Sequence, residues 1–507
     1  MAKNIKPVLE ILHSKGPLLT SDLAEIYRKQ GLSATAARQR VYRRSEEVRT
    51  LYGLPFPKNT KFLYLESHFG KPRFFDALVT KLEKTSPSYA AAISGLSARN
   101  GICFVDNWDI VSGSPVLQQK HIASQEILKR LKSVKLFSEI TVTGIGTAIC
   151  FNDRVFAPNV EGFRARITLE NILINIVKNW AVRMGYSSTG TISARSDAKT
   201  LPKFSTHCFD IVGPSYLHSV TKRSKGNIKN GYFVADVLWH DELTEKHVSS
   251  FLHKIKTLSV LRGLSNFQPM IIANGFTKKA LMKCRGNGVM AVTPDTLLGR
   301  DVAQALLELF DVLKRAAEIS IGNPDKIEQV FNKLSAIEGL TANLRGAMFE
   351  MITGHIVRSL NAGSIDIGEI VTDYATQSKA DIDVRLVSEN SVTCYECKGY
   401  ASHVEVSLEE VKYWLEKQVP IISAAHNNEY RFNNMSKVFE FWTTGTFSQD
   451  AIDFLKERKK KIKKYEINWR NGQYVKAEAR KLKSKTMLKI LKTHYLNHSI
   501  ESKLSIA

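Results

Sequence analysis

Long apolar runs are missing from this chain. No segment of its 507 residues reaches the roughly 20 consecutive apolar residues of a membrane-spanning helix, and Met1-Ala-Lys-Asn-Ile-Lys-Pro lacks the apolar centre of a signal peptide. Cysteine is scarce: Cys103, Cys150, Cys208, Cys284, Cys394 and Cys397 are scattered, which fits a reducing compartment without a disulfide framework and leads us to expect a cytoplasmic protein. Cys394-Tyr-Glu-Cys397 is a CxxC, but no second CxxC or paired histidine cluster accompanies it and His403 stands alone, so a structural zinc lacks ligands. The pair also lies inside a β-like run rather than at a helix start, which argues against a redox motif and for small buried side chains. A Gly-x-x-x-x-Gly-Lys-Ser/Thr loop is absent, so any ATP-driven step needs a partner that supplies ATPase activity. Acidic residues are outnumbered, 49 against 72 Lys and Arg, for a net charge of +23. A polyanion is therefore the first partner to consider, and without an apolar anchor nucleic acid ranks above a membrane.

What the chain does have centres on two short β-like runs. Asp383-Val-Arg-Leu is followed by Tyr395-Glu396-Cys397-Lys398. Alternation with period 2 sets Asp381 and Asp383 on one face of the first strand, and Glu396 and Lys398 on one face of the second. As neighbours, these strands would aim two carboxylates and a lysine at one point. Hard carboxylate oxygens suit Mg²⁺, and a lysine beside it could hold the attacking water or steady the charge developing on a phosphate. The competing view makes Glu396 and Lys398 an ordinary charge pair on a half-buried sheet. Against it, Val392, Cys394, Tyr395 and Cys397 make the run apolar, where unpaired charges are costly to bury.

These residues resemble the PD-(D/E)xK nucleases of the restriction-endonuclease-like fold, whose core runs helix, strand with Asp, strand with Glu-x-Lys, helix, strand, helix, strand. The spacing predicts a helix over 344–357 carrying Glu350, then Asp383 and Glu396-Cys-Lys398, a helix over 407–415 capped by Ser407, a strand over 438–443, a helix over 448–459 and a strand over 465–469. The resemblance implies Mg²⁺ (or Mn²⁺) held by Asp383 and Glu396, with the carbonyl between Glu396 and Lys398. It also implies Lys398 orienting or activating water, Glu350 binding a second metal or supporting the first, and Asp381 as reserve ligand if the register differs by two.

The first seventy residues predict two short helices, a break at Gly31 and a third helix from Ser33 to Arg44. Val41 and Tyr42 can pack inward while Arg38, Arg40, Arg43 and Arg44 cover the rest. This resembles a helix-turn-helix, with residues 55–66 as the hairpin of a winged helix; a plain three-helix bundle with a basic face is the alternative. Residues 71–160 predict further helices, including a lysine-rich one over 121–135, and no site.

The middle of the chain repeats the nuclease plan: an apolar helix over 168–182 with Glu170, strands at 209–212 and 232–239, a helix over 242–261, and a strand at 270–274 leading into Gly-Phe-Thr as 441–447 leads into Gly-Thr-Phe. Whether Ala235 or Asp236 matches Glu396, the lysine position holds Val237 or Leu238. Unless a helix lysine such as Lys254 substitutes, this copy is degenerate, serving to bind DNA or its sister domain. Its insertion 221–230 offers Lys222, Arg223 and Lys225 to backbone phosphates, or is simply a surface loop.

The fold class expected is α/β, mixed α+β: a winged helix (1–70), a second helical region (71–160), a degenerate restriction-endonuclease-like domain (161–300), a helical linker (301–340), a PD-(D/E)xK domain (341–475) and a basic helical tail (476–507). The function expected is a metal-dependent endonuclease on double-stranded DNA, acting in prokaryotic restriction or anti-phage defence, either as a homodimer or with an ATPase partner. A non-catalytic DNA-binding regulator or assembly subunit is the runner-up. RNA recognition ranks third, because the aromatic residues fall at core-like positions such as Trp442 and Trp469.

Overall fold

The structure is a computed structural model. It describes residues 6–119, 121–143, 146–153, 160–224, 227–314, 341–482 and 484–496. The chain divides into two units, one of residues 1–139, 148–159 and 185–293, the other of 140–147, 160–184 and 294–507.

In the first unit, apolar residues at helical spacing build the opening module. Leu12, Leu23, Tyr27, Ala37 and Val41 from helices Val8–Lys15, Thr20–Lys29 and Ala34–Tyr42 bury against Leu63 and Leu65. Ser33 caps the third helix, its Oγ accepting from the Ala36 amide at 3.2 Å. Strand Phe62–Leu65 is flanked by Leu18–Leu19 and Val48–Thr50 in an antiparallel sheet, so the order is helix, strand, helix, helix, strand, strand. The hairpin starts earlier than residue 55, because its first strand is Val48–Thr50. Tyr42 does not pack inward but is 80% exposed: Ala37 and Val41, four residues apart, define the buried stripe, and residue 42 falls about 100° around the helix from it.

Helices Pro72–Thr85, Pro87–Ser97 and Ser124–Ser133 follow, sharing one apolar core with Leu19 and Phe62 of the opening module. The same unit carries a five-stranded sheet in the order Met290–Val292, Phe267–Ile272, Gly231–Val237, Ile211–Ser215, Ser193–Ala194. The first two pairings are parallel and the last two antiparallel. The insertion after residue 221 is a small hairpin, Lys222–Ser224 with Asn227–Lys229.

The second unit repeats this order. Strands Glu466–Arg470, Ser436–Thr443, Ser391–Lys398, Ser378–Val387 and Ser364–Asp373 lie side by side, again parallel, parallel, antiparallel, antiparallel. Val142 and Thr143 extend the sheet beside Lys379 and Ala380. The duplication read from the sequence is thus visible as identical strand order and direction. Its boundaries differ in one respect. Helix Val160–Arg183, assigned above to the first copy (161–300), packs on helices Arg300–Lys314 and Thr341–Leu360 and on strand Ser364–Asp373, all in the second unit. The physical reason is that this helix carries Arg164, whose charge is answered by carboxylates of the second sheet.

Glycine allows two close approaches here. A Cβ on Gly399 would stand 2.4 Å from the Arg345 carbonyl, and Gly368, at φ +71°, takes a conformation that disfavours other residues. Ser407 is the N-cap expected and also forms a capping box with Glu410, but the helix does not stop at 415. It passes through a π-turn at Trp414–Gln418 into helix Val419–Asn428. The basic tail is two helices, Gly472–Lys481 and Lys485–Leu491, the second capped by Ser484 and burying Met487, Ile490 and Leu491. Residues 315–340 of the expected helical linker (301–340) lie outside the described residues.

Candidate active site

Strands Ser378–Val387 and Ser391–Lys398 are antiparallel, with Val384 opposite Tyr395. One step further along, Asp383 reaches across: its Oδ2 accepts the Cys397 amide at 2.6 Å. Lys398 Nζ donates to Glu396 Oε1 at 2.7 Å, and Gln418 Nε2 donates to Glu396 Oε2 at 3.2 Å. Glu350 arrives from helix Thr341–Leu360. Its Oε1, Asp381 and Asp383 all converge on Arg164: Nη2 donates to Glu350 at 2.7 Å and to Asp383 Oδ1 at 2.6 Å, while Nη1 lies 3.0 Å from Asp381 Oδ2. Asp381, Asp383, Glu396, Lys398 and Glu350 are therefore brought into one cluster. They line a cavity of about 1030 Å³, with Arg164, Arg345, Lys314, Lys379 and His403 also on its wall.

Electrostatics set the character of this cavity. Four carboxyl groups, of Glu350, Asp381, Asp383 and Glu396, face two paired cations, Arg164 and Lys398, in a poorly solvated place. Burial pushes the Glu350 carboxyl well above its ordinary range, with Arg164 opposing and Asp383 and Asp381 adding to the rise. Burial likewise lifts Asp381 to about 7, against the pull of Arg164. Glu396 is raised by burial and held back by Lys398. Lys398 itself is raised, chiefly by Glu396, so it stays an ammonium at neutral pH. A cluster in which four carboxyl groups outnumber the cations paired with them offers the hard oxygen donors that suit a divalent cation. Among the described residues, no three His, Cys, Asp or Glu side chains stand ready-arranged around a metal position; the Arg164 guanidinium lies among Glu350, Asp381 and Asp383 instead.

The first sheet carries the same scaffold with the opposite balance. Asp210 Oδ2 accepts the Val237 amide at 2.8 Å, as Asp383 does that of Cys397. This fixes Asp236 as the counterpart of Glu396 and Leu238 as the counterpart of Lys398. Lys254, from helix Ser249–Ser259, donates to Asp236 Oδ2 at 2.6 Å and to the Cys208 carbonyl at 2.9 Å. Arg195 pairs with Asp210 at 2.6 Å and Arg99 lies 3.9 Å from it. Three cations meet two carboxylates, every one of them buried.

Of the remaining predicted residues, Arg38, Arg40 and Arg43 are exposed and Arg44 is half-buried. Arg40 hydrogen-bonds the Tyr27 hydroxyl and Arg44 donates to Thr50 Oγ1 at 3.0 Å, which leaves Arg38 and Arg43 as the outward pair with no such tie described. Lys222 is exposed and Arg223 pairs with Ile228 in the hairpin, whereas Lys225 lies outside the described residues. Cys394 and Cys397 are buried free thiols, Cys394 pushed up to about 12 by burial. The sequence reading missed Arg164 and Gln418. No family model matches the chain, and no curated protein shows detectable similarity to it.

Proposed function

We propose that the protein is a metal-dependent DNA endonuclease of PD-(D/E)xK type, with the second unit's cavity as its active site. The observation that carries this reading is the convergence of Glu350, Asp383, Glu396 and Lys398 on one open cavity. Asp383 and Glu396 would hold Mg²⁺, with Glu350 supporting. When bound, the ion supplies Lewis acidity and offsets charge on the phosphate. The chain's own groups do the rest. The Cys397 amide fixes one oxygen of Asp383, and Gln418 fixes one of Glu396, so each carboxylate holds its other oxygen in a defined direction, toward Arg164 and Lys398 respectively. Lys398, kept charged by Glu396, donates hydrogen bonds to the attacking water or to a phosphoryl oxygen; it is not a proton acceptor in this state. Water attacks phosphorus and passes a proton to a non-bridging phosphoryl oxygen, the bond to the leaving sugar oxygen breaks, and that oxygen takes up a proton from solvent.

The winged helix, with Arg38 and Arg43 outward, would engage duplex DNA, and the first sheet serves as a degenerate copy. Restriction or anti-phage defence in the cytoplasm is the biological setting we propose; no helix among the described residues is long and apolar enough to cross a membrane. Incubation of plasmid and phage DNA with Mg²⁺ or Mn²⁺ tests the reading. Nicking or linearisation lost in Asp383→Ala and Lys398→Ala, with DNA binding retained, is the expected result. Tight binding without cleavage of any modified or unmodified DNA would favour a regulator that keeps the fold for binding.

A further inference from the structure

The second unit places a cation where the chemistry of the donor set calls for one. Arg164 touches Glu350, Asp381 and Asp383 at 3.0 Å or less, and one of its nitrogens bridges two of them. A divalent ion at Asp383 would compete with Arg164 for Oδ1, because the other Asp383 oxygen accepts the Cys397 amide.

We propose that Arg164 is a displaceable counter-cation, which holds the carboxylates together until a divalent ion binds and then turns out into the cavity. The inference rests on the metal-site reading above. Three observations favour displacement over a permanent ion pair. The Arg164 side chain is 25% exposed and lines the cavity, so it has a way out; Arg195, Arg99 and Lys254, which neutralise the matching acids of the first sheet, are 8% exposed or less. Next to it is Gly368, where an added Cβ would stand 3.7 Å from Nη1, so at this position the neighbouring strand puts no side chain against the guanidinium. The make-up of the cluster also favours it: four carboxyl groups meet only Arg164 and Lys398 as paired cations, so a divalent ion finds more oxygen donors than those two side chains use. The cavity can receive the displaced side chain only when something anionic is there or when it reaches solvent. Arg345, also on that wall, has a buried Nε without a hydrogen-bond partner, which marks the wall as suited to phosphate oxygens.

The test is Mn²⁺ binding to the full chain, followed by electron paramagnetic resonance, for wild type, Arg164→Met, Arg164→Lys and Asp383→Asn. Mn²⁺ alone is the probe, without DNA. Arg164→Met is expected to bind about tenfold tighter, as when a competent arrangement is populated about a tenth of the time in the wild type. Arg164→Lys keeps a cation of shorter reach and should fall between; it carries the test if the Met variant does not fold. Asp383→Asn should lose the site in every background. Unchanged or weaker binding in folded Arg164 variants, with Asp383-dependent binding intact, overturns the counter-cation role and leaves the metal site standing. Absence of Asp383-dependent binding in all variants overturns both.

Discussion

Replacing the lysine with methionine in each of the two sheets should give opposite phenotypes. Lys254 is fully buried, pairs with Asp236 at 2.6 Å, donates to the Cys208 carbonyl and stands 4.6 Å above the Phe209 ring. Lys254→Met leaves the Asp236 carboxyl buried without its partner, and breaking one side of a buried pair costs about 3–5 kcal/mol. At about 2–4 °C per kcal/mol for a body of this size, the first unit's melting transition should fall by about 6–20 °C. Asp236, already raised by burial, limits the loss by taking a proton, so the drop should shrink in Lys254→Met/Asp236→Asn. Lys398 is a third exposed and its partner Glu396 keeps the Gln418 bond. Solvent screening and that remaining bond hold the cost of Lys398→Met to about 1 kcal/mol, while cleavage should be lost. Differential scanning calorimetry beside a plasmid assay reads both. A Lys254→Met protein that melts like wild type but no longer cuts would refute the assignment of the first cluster as structural, and with it the contrast between the two sheets.

Three further outcomes follow from the same geometry. The folded-state values of Asp381 and Glu350 are raised, so in EDTA their contribution to stability is full below the unfolded carboxyl range and is lost as pH rises, for Asp381 through about 7. The melting temperature should therefore fall between pH 5 and 8, and Asp381→Asn should flatten the slope. A steeper slope in that variant would exclude Asp381 as its source. Because Arg38 and Arg43 point outward, their double replacement by alanine should weaken duplex binding and lower the salt slope by about two, read by fluorescence anisotropy at several salt concentrations; an unchanged slope would place the DNA elsewhere. Gln418→Ala should cut cleavage more than it lowers melting temperature, since its amide acts through Glu396; equal loss of both would make it only structural.

The Asp383, Glu396 and Lys398 set was legible because every signal for it is local: two strands with period 2, close in sequence, one apolar enough to make its charges conspicuous. The repeated succession of elements was legible too, whereas the edge strands Ser193–Ala194 and Ser364–Asp373 were not read from the sequence. Arg164 left no such trace. It lies 219 residues before Asp383, with the whole first sheet in between, and its helix reads as apolar by composition. Gln418 was hidden for a different reason, since the π-turn from Trp414 to Gln418 changes the helical phase that spacing assumes. Tyr42 shows the limit of counting hydrophobic residues: Ala37 and Val41 already complete the buried stripe, and a tyrosine next in line has no core left to enter.

Side by side, the two sheets show how one displacement of charge separates a closed core from an open site. In each, the aspartate takes the amide of the neighbouring strand, and the helix after that strand supplies a polar head to the second acid. In the first sheet that head is Lys254 and the strand position two beyond the acid is Leu238, buried with the core. In the second sheet the head is the neutral Gln418 and the strand position is Lys398, on the cavity wall. A lysine that descends from the helix satisfies the acid inside the protein and, with Arg195 and Arg99, leaves no charge for an outside cation to answer. A lysine on the strand satisfies the same acid from the open side, where a phosphate can meet it, and leaves the cluster short of positive charge. Electrostatic balance and access change together because both depend on which element carries the lysine.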